Sequence, residues 1–423
     1  MANAGRDSVA VIGSGVAGLT AAYAMRRSHD VTLFERDRRF GGHAHTHAVP
    51  LRTGGIASID SGFIVHNERT YPTLLRMFSE LDVRTQPTEM SMSVECRRCR
   101  LTYSGGRGAT GIFAQRQRLV DPRFLRMLAD VPRFHRAARA LLGDRDAGSE
   151  TWGEFLARGG YSEYFIRHFA VPLVSCVWSA GDLDAREYPA RHLFAFLDNH
   201  GMLSIGGSPT WRTVVGGSST YVRAIIQRLP ATHLHTAVTA VQRHHDGVDV
   251  TTVDGSTRRF DKAVIAVHAD DAARLLVDAS ADERKDLQSF KYSVNPTWLH
   301  RDASVLPSPR RARSSWNYRI EDCRADSSGV LVSYWMNRLH GLDLADDHVV
   351  TLNPGALVDP QSVIARMEYM HPVFTPAAVA AAPRIAAAGG PRLAFAGAHL
   401  GWGFHEDGAR SGLNAASRLG ARW

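Results

Sequence analysis

Lysine is nearly missing from this chain. Lys262, Lys285 and Lys291 are the only three in 423 residues, so arginine supplies almost all of the 50 basic side chains against 42 acidic ones, for a formal charge of +8. The arginines are scattered and build no long basic tract, so nucleic acid is not expected as a partner. Cysteine is scarce as well: Cys96, Cys99, Cys176 and Cys323 are too few for a disulfide scaffold in so long a chain, and a reducing compartment fits. No apolar run approaches the roughly 20 residues needed to cross a bilayer. The apolar start is broken by glycines and no cleavage pattern follows it, so a cytoplasmic protein is expected. Internal repeats and low-complexity tails are absent.

What is there is a folded composition, 44% hydrophobic and 22% charged, at a length that suits two domains. The opening VAVIGSGVAGLTAAYAM, followed by VTLFERD, reads as strand, glycine turn, helix and second strand. Its apolar run at 9–12 fits a strand covered on both faces, within a β-α-β unit. Leu74, Leu75, Phe78 and Leu81 have helical spacing, MSMSV alternates like a strand, and CRRC looks like a hairpin tip. Over 122–142 apolar residues at helical spacing alternate with Arg123, Arg126, Arg133, Arg136 and Arg139. This predicts a basic amphipathic helix, kinked at Pro132, which either packs on its own domain or docks on anionic lipid. After GGSPTWRTVVGGSSTYV, a helix is expected over 221–229 and strands over 236–243, 248–253 and 263–267. The expected plan is α/β: a Rossmann-like, glutathione-reductase-type cofactor domain from 1–70, 206–290 and 388–423, with a mixed α+β substrate domain from 71–205 and 291–387.

Gly13, Gly15 and Gly18 form G-x-G-x-x-G directly after a strand, with Val16 and Ala17 opening the helix. The first glycine permits a tight turn, the second lets backbone approach a pyrophosphate, and the third lets helix and strand pack closely. The helix N-terminus offers free N–H groups to the phosphates. Glu35, 17 residues beyond Gly18 and followed by Arg36, can take both ribose hydroxyls and repels a 2′-phosphate, which disfavours NADP. The continuation ERDRRFGGHAHT adds Gly41, Gly42 and His43. That glycine pair resembles the second pyrophosphate approach of glutathione-reductase-like flavoproteins and points to FAD rather than NAD. At the far end, a strand ending at Gly397 leads to a loop and a helix starting near Gly408. Asp407 is the candidate contact on the ribitol or pyrophosphate side and Glu406 its substitute, while Asp407 also suits a helix cap.

The sequence resembles the flavin amine-oxidase and phytoene-desaturase superfamily over nearly its whole length, through the N-terminal fingerprint, WRTVVGGSSTYV, the strand around Val238 and GWGFHEDGARSG. More narrowly it resembles the NAD/FAD-binding oxidoreductases encoded beside cyclopropane-fatty-acid synthases, through DSGFIVHNERTYPTLLRMFSELDV, EMSMSV, SYWMNRL and LNP. The resemblance implies that Val238 pairs its backbone with the adenine and that Gly216 and Gly217 join the substrate chamber to the cofactor domain. It makes Phe404 one wall of an aromatic cage; Trp402, which would help shape the site, and His405, which adjoins the flavin-facing loop as a candidate acid or base, complete the candidate catalytic set. No cysteine lies in 395–408 to tether the flavin, so non-covalent FAD is expected. Where amine oxidases hold a lysine near the flavin, this chain runs SVNPTWLH with Asn295 and Pro296. The implied activity is hydride removal from an apolar substrate, an unsaturated or modified fatty acyl chain. The alternatives are an amine or isoprenoid oxidase or desaturase, and a non-catalytic flavoprotein partner of a lipid methyltransferase.

Other polar groups are weaker candidates. His43, His45 and His47 alternate but have no carboxylate or cysteine cluster in sequence, and Cys96 with Cys99 lacks a second pair, so no metal is expected. Asp60, His66, Asn67 and Tyr71 fall where the family has its chamber entrance and could serve as acid or base.

Overall fold

The apolar run near the N-terminus forms strand β1 (Ser8–Ile12), a glycine turn joins it to helix α1 (Val16–Met25), and the chain returns in strand β2 (Asp30–Phe34). In the computed structural model, which describes residues 5–423 except 53, 145–149, 180–184, 205 and 326–329, β1 lies between two parallel partners. These are β2 and the strand Lys262–Ile265, and Ala231–His233 and Leu393–Phe395 complete the five-stranded parallel sheet. Val9, Ala10 and Val11 are fully buried, as expected of a parallel sheet covered on both faces.

All ten residues of α1 are buried, because the closing helix (His405–Arg418) lies across it. Two backbones meet there: a Cβ on Gly412 would stand 2.1 Å from the Ala17 carbonyl oxygen, and one on Gly408 would stand 2.5 Å from a Val16 methyl. The N-terminal fingerprint and the C-terminal segment are thus packed as one body.

The rest of the chain is organised by helix α2 (Pro72–Glu80), the hairpin β3 (Met92–Cys96) and β4 (Leu101–Gly105), helices α3 (Pro122–Gly143), α4 (Val171–Trp178) and α5 (Ala190–Asn199), and strands β5 (Lys291–His300), β6 (Trp316–Ile320) and β7 (Val363–Val373). A seven-stranded sheet runs β7, β5, Val349–Leu352, Val332–Trp335, β6, β3, β4. Its pairings are antiparallel apart from β6 with β3, which runs parallel and sets Ile320 opposite Cys96.

The basic helix is α3. Asp121 caps it by accepting the Arg123 and Phe124 N–H groups, and the helix continues through Pro132. Phe124, Met127, Phe134, Ala138 and Leu141 are buried, and the Phe134 ring meets Trp152 and Phe194 at 5.5 and 5.7 Å. Its apolar stripe therefore packs inward, against Trp152 and Phe194. The closing helix starts at His405, three residues before the expected Gly408, since the Asp407 carboxylate accepts the Phe404 N–H and draws that turn into the helix. Among the described residues no helix is long and apolar enough to cross a membrane.

Candidate functional site

Ser14 ties together three segments that sequence reasoning treated separately. Its N–H and Oγ both donate to Glu35 Oε2, while Gly41 N–H donates to the Ser14 carbonyl and to Ser14 Oγ, each at 3.1 Å. Glu35 Oε1 accepts from Asp37 N–H at 2.8 Å, which fixes the carboxylate at the end of β2. Gly13 has φ +97°, and a Cβ there would lie 2.5 Å from the Ala266 carbonyl oxygen, so the turn requires glycine. Gly18 serves packing, because a Cβ would drive into the Gly13 carbonyl at 1.9 Å. Gly15 differs: a Cβ would meet no atom of the described residues within 4 Å. The first turn of α1 has no side-chain cap and no acidic residue, so its N–H groups are left for a ligand.

A cavity of about 620 Å³ opens over this turn, within the range of small-molecule and cofactor sites. At one end are Glu35, Arg36, Asp37 and Val238, drawn together where Thr236 N–H donates to the Glu35 carbonyl at 2.7 Å. In the middle are Gly13, Gly15, Val16, Ala17, Gly42 and His43. Further along come Phe63, Tyr369, His371, Gly397, His399, Phe404 and His405, and then an aromatic chamber of Trp178, Phe196, Trp211, Tyr334 and Leu352.

His43, His371, His399 and His405, all lining the cavity, are held in the neutral form at neutral pH. Burial pushes His371 down to about 4 and His399 and His405 down to about 3, and it carries His43 well below the usual range, with the Arg39 charge also opposing a proton there. The His405 ring stacks on Phe63 at 3.6 Å and meets Tyr221 Oη through Nε2 at 3.0 Å. His43 lies 4.9 Å from the Tyr369 ring, and its buried Nε2 has no hydrogen-bond partner among the described residues. An orphaned imidazole nitrogen, open space over Gly15 and uncapped helix N–H groups all fit a dinucleotide laid across the turn.

Five residues expected at the site have other partners or roles in the fold. The two carboxylate oxygens of Glu406 accept the Thr73 and Leu74 N–H groups at 3.0 Å each and so cap α2. Asp407 faces Phe404 N–H and Arg410 at 3.1 and 2.8 Å. Its burial raises the carboxyl to about 6 despite both partners. Gly408 packs on Val16, and Trp402 stands behind the wall, its carbonyl accepting the Trp178 indole N–H at 3.0 Å. Gly41 shapes its loop at φ +116°. Asp60 is a buried hub bonded to Thr46 and to Ser218 N–H and Oγ. Of the four chamber-entrance candidates, only Tyr71 lines the cavity.

Sequence reasoning passed over Ser14, Tyr369, His371, His399 and the chamber aromatics. Tyr369 and His371 alternate on β7, so period 2 over MEYMHP was a usable signal.

The flavin-containing amine oxidoreductase family model matches residues 16–297, two thirds of the chain. No curated protein matches by sequence. Among solved structures, the chain is similar to cyclohexylamine oxidase from Brevibacterium oxydans, with a TM-score of 0.73, 15% identity and 98% of each chain covered. A protoporphyrinogen oxidase-like protein from Exiguobacterium has a TM-score of 0.68 and 15% identity over 97% of this chain and 98% of its own. A conjugated-linoleic-acid-producing fatty acid isomerase from P. acnes has a TM-score of 0.68 and 17% identity over 98% and 99%. The glycine cradle, the carboxylate at the end of β2 and the family match agree: the chain belongs to the flavin-containing amine oxidoreductases and is an FAD-dependent oxidoreductase.

Proposed function

We propose that this oxidoreductase takes a hydride from an uncharged apolar substrate, an unsaturated or modified fatty acyl chain. The observation that supports this most is the chamber beyond the cradle, walled by Trp178, Phe196, Trp211, Tyr334 and Leu352. Among the described residues, the carboxylates that line the cavity are Glu35, Asp37, Asp271 and Glu368, and none of these four belongs to the segments that build the aromatic end. A buried ammonium would need such a partner. Asn295, in the position expected for lysine in amine oxidases, accepts from the Asn353 amide at 2.9 Å and meets His371 Nδ1 at 3.0 Å, a neutral arrangement.

Bound FAD supplies the two-electron acceptor. The chain's part is to hold and orient the substrate and to exclude water. Glu35, Gly15, Gly42, His43 and Val238 are the residues we assign to the cofactor, and Phe404 and His405 those we assign to the reacting end. Phe404 is braced on Phe196 at 4.4 Å, and His405 stays neutral.

An amine is the second candidate substrate. It is favoured by the family and by the faces of Phe404 and Trp178, which can stack on a cation. The neighbouring structures carry the names of enzymes for an amine, a porphyrinogen and a fatty acid, so the fold alone does not choose. Anaerobic titration of the purified flavoprotein distinguishes them: unsaturated fatty acids or lipid extract are expected to bleach the visible flavin band, and bleaching by amines alone would overturn the proposal. We extend the proposal to kinship with the flavoproteins encoded beside cyclopropane-fatty-acid synthases, to a lipid methyltransferase partner, and to a cytoplasmic protein in peripheral contact with membrane. Exposed Leu119, Val120 and Leu125 beside exposed Arg116, Arg123 and Arg126 support the membrane contact.

A further inference from the structure

Away from the cavity, three of the four cysteines meet at one point. Cys96 ends β3, Cys99 stands in the turn before β4, and Cys323 follows β6, whose parallel pairing sets Ile320 against Cys96. His168 joins them from the π-helical turn Ile166–Ala170. The three Sγ atoms and one ring nitrogen of His168 all lie within 4.8 Å of one another, and Cys99 Sγ is 3.3 Å from His168 Nε2.

We propose that Cys96, Cys99, Cys323 and His168 hold a structural zinc ion. Three thiolates and an imidazole are a closed four-donor set of the kind zinc takes, and Zn–S bonds of about 2.3 Å put neighbouring sulfurs about 3.8 Å apart. The four donors are therefore within small side-chain adjustments of a tetrahedron. The histidine is already oriented: a carbonyl can only accept, so the 2.9 Å contact from His168 Nδ1 to the Tyr164 carbonyl makes Nδ1 the donor and leaves the Nε2 lone pair facing Cys99. The carbonyl of His168 is held in turn by Tyr103 Oη at 2.7 Å.

Charge also fits. Zinc with three thiolates carries one net negative charge, and the loop that presents them is C-R-R-C-R. Arg118 clamps that loop by donating to the Cys99 and Arg100 carbonyls at 3.2 and 2.8 Å, and Arg98 pairs with Asp322 at 3.1 Å, next to Cys323. The sequence expectation that CRRC is only a hairpin tip is revised for a physical reason: its second pair of ligands is not a sequence motif but comes from a helical turn and from the strand that β3 adopts as a neighbour. The ion would tie the edge of the large sheet to the turn that leads directly into α4, whose last residues, Cys176 to Trp178, wall the cavity.

The test uses the full-length flavoprotein purified without chelator. Elemental analysis is expected to give one equivalent of zinc, released by a thiol-specific mercurial. Protein produced on cobalt is expected to show the intense visible bands of tetrahedral thiolate-bound Co(II). Cys323→Ser and His168→Ala should lose the metal, and Cys176→Ala should keep it. Zinc-free protein with all thiols free, a Cys96–Cys99 disulfide in its place, or full zinc in Cys323→Ser would each overturn the proposal. Should the ligand variants not fold, the cobalt spectrum of the parent chain decides.

Discussion

A side chain on Gly15 would enter open space, whereas one on Gly18 would collide with the Gly13 carbonyl at 1.9 Å. Gly15 has φ −62°, which suits any L-residue. Gly15→Leu is therefore expected to fold, with flavin-free stability within about 0.5 kcal/mol of the parent, yet to purify without flavin. The check is the ratio of flavin to protein absorbance together with chemical unfolding of both apoproteins. Parental flavin content in this variant would remove Gly15 from the pyrophosphate cradle. At this scale the sequence was legible where chemistry is local: Gly13, Gly15, Gly18 and Glu35 sit in one β-α-β unit whose geometry their own spacing announces. Ser14 was not, because its hydroxyl acquires its role only when Glu35 and Gly41 fold around it.

Elements carry a different lesson. The acidic first turn of the closing helix suggested cofactor contacts, but Glu406 holds the start of α2 and Asp407 holds its own helix. Both residues lie 6% or less exposed, and acids at a helix start satisfy backbone N–H groups as readily as ligands. Glu406→Ala should cost about 2 kcal/mol by leaving the half-buried Thr73 and the buried Leu74 N–H groups unpaired, with the flavin spectrum unchanged. Glu406→Gln, which can still accept one of the two bonds, should fall between. Urea unfolding followed alongside flavin absorbance checks this, and lost flavin at parental stability would return Glu406 to the cofactor. The period-3.6 pattern found α2 and α3 because each helix buries one apolar stripe of its own, and alternation found β3 although four of its five residues are buried in the sheet. The convergence of Cys323 and His168 on CRRC left no such trace, since it depends on β6 choosing β3 as a parallel partner.

Across the whole molecule, buried neutral histidines make the protein sensitive to acid. His371 has a pKa near 4 and His399 and His405 near 3 in the folded chain, all below the 6.5 of an exposed imidazole. Between those values the unfolded chain binds more protons, so stability is full above pH 6.5 and is lost as pH falls toward 4. Each of the three should contribute about 1.4 kcal/mol of loss by pH 5.5. Asp407, raised to about 6, opposes this: its contribution is present below pH 4 and fades as pH rises through 6. The expected net result is a several-kcal/mol lower unfolding free energy at pH 5.5 than at pH 7.5, measured by denaturant titration at both. Equal values would mean that these rings are protonated or solvated in the folded protein.

The central sheet gathers strands from residues 8–34, 231–265 and 393–395, and the closing helix then lies backbone to backbone on α1. A polypeptide still emerging from the ribosome has the fingerprint turn but neither the far edge of that sheet nor the brace above it. The cradle is therefore complete only once residues 393–418 have joined the fingerprint turn, so the cofactor meets a finished seat late in folding rather than at the first β-α-β unit.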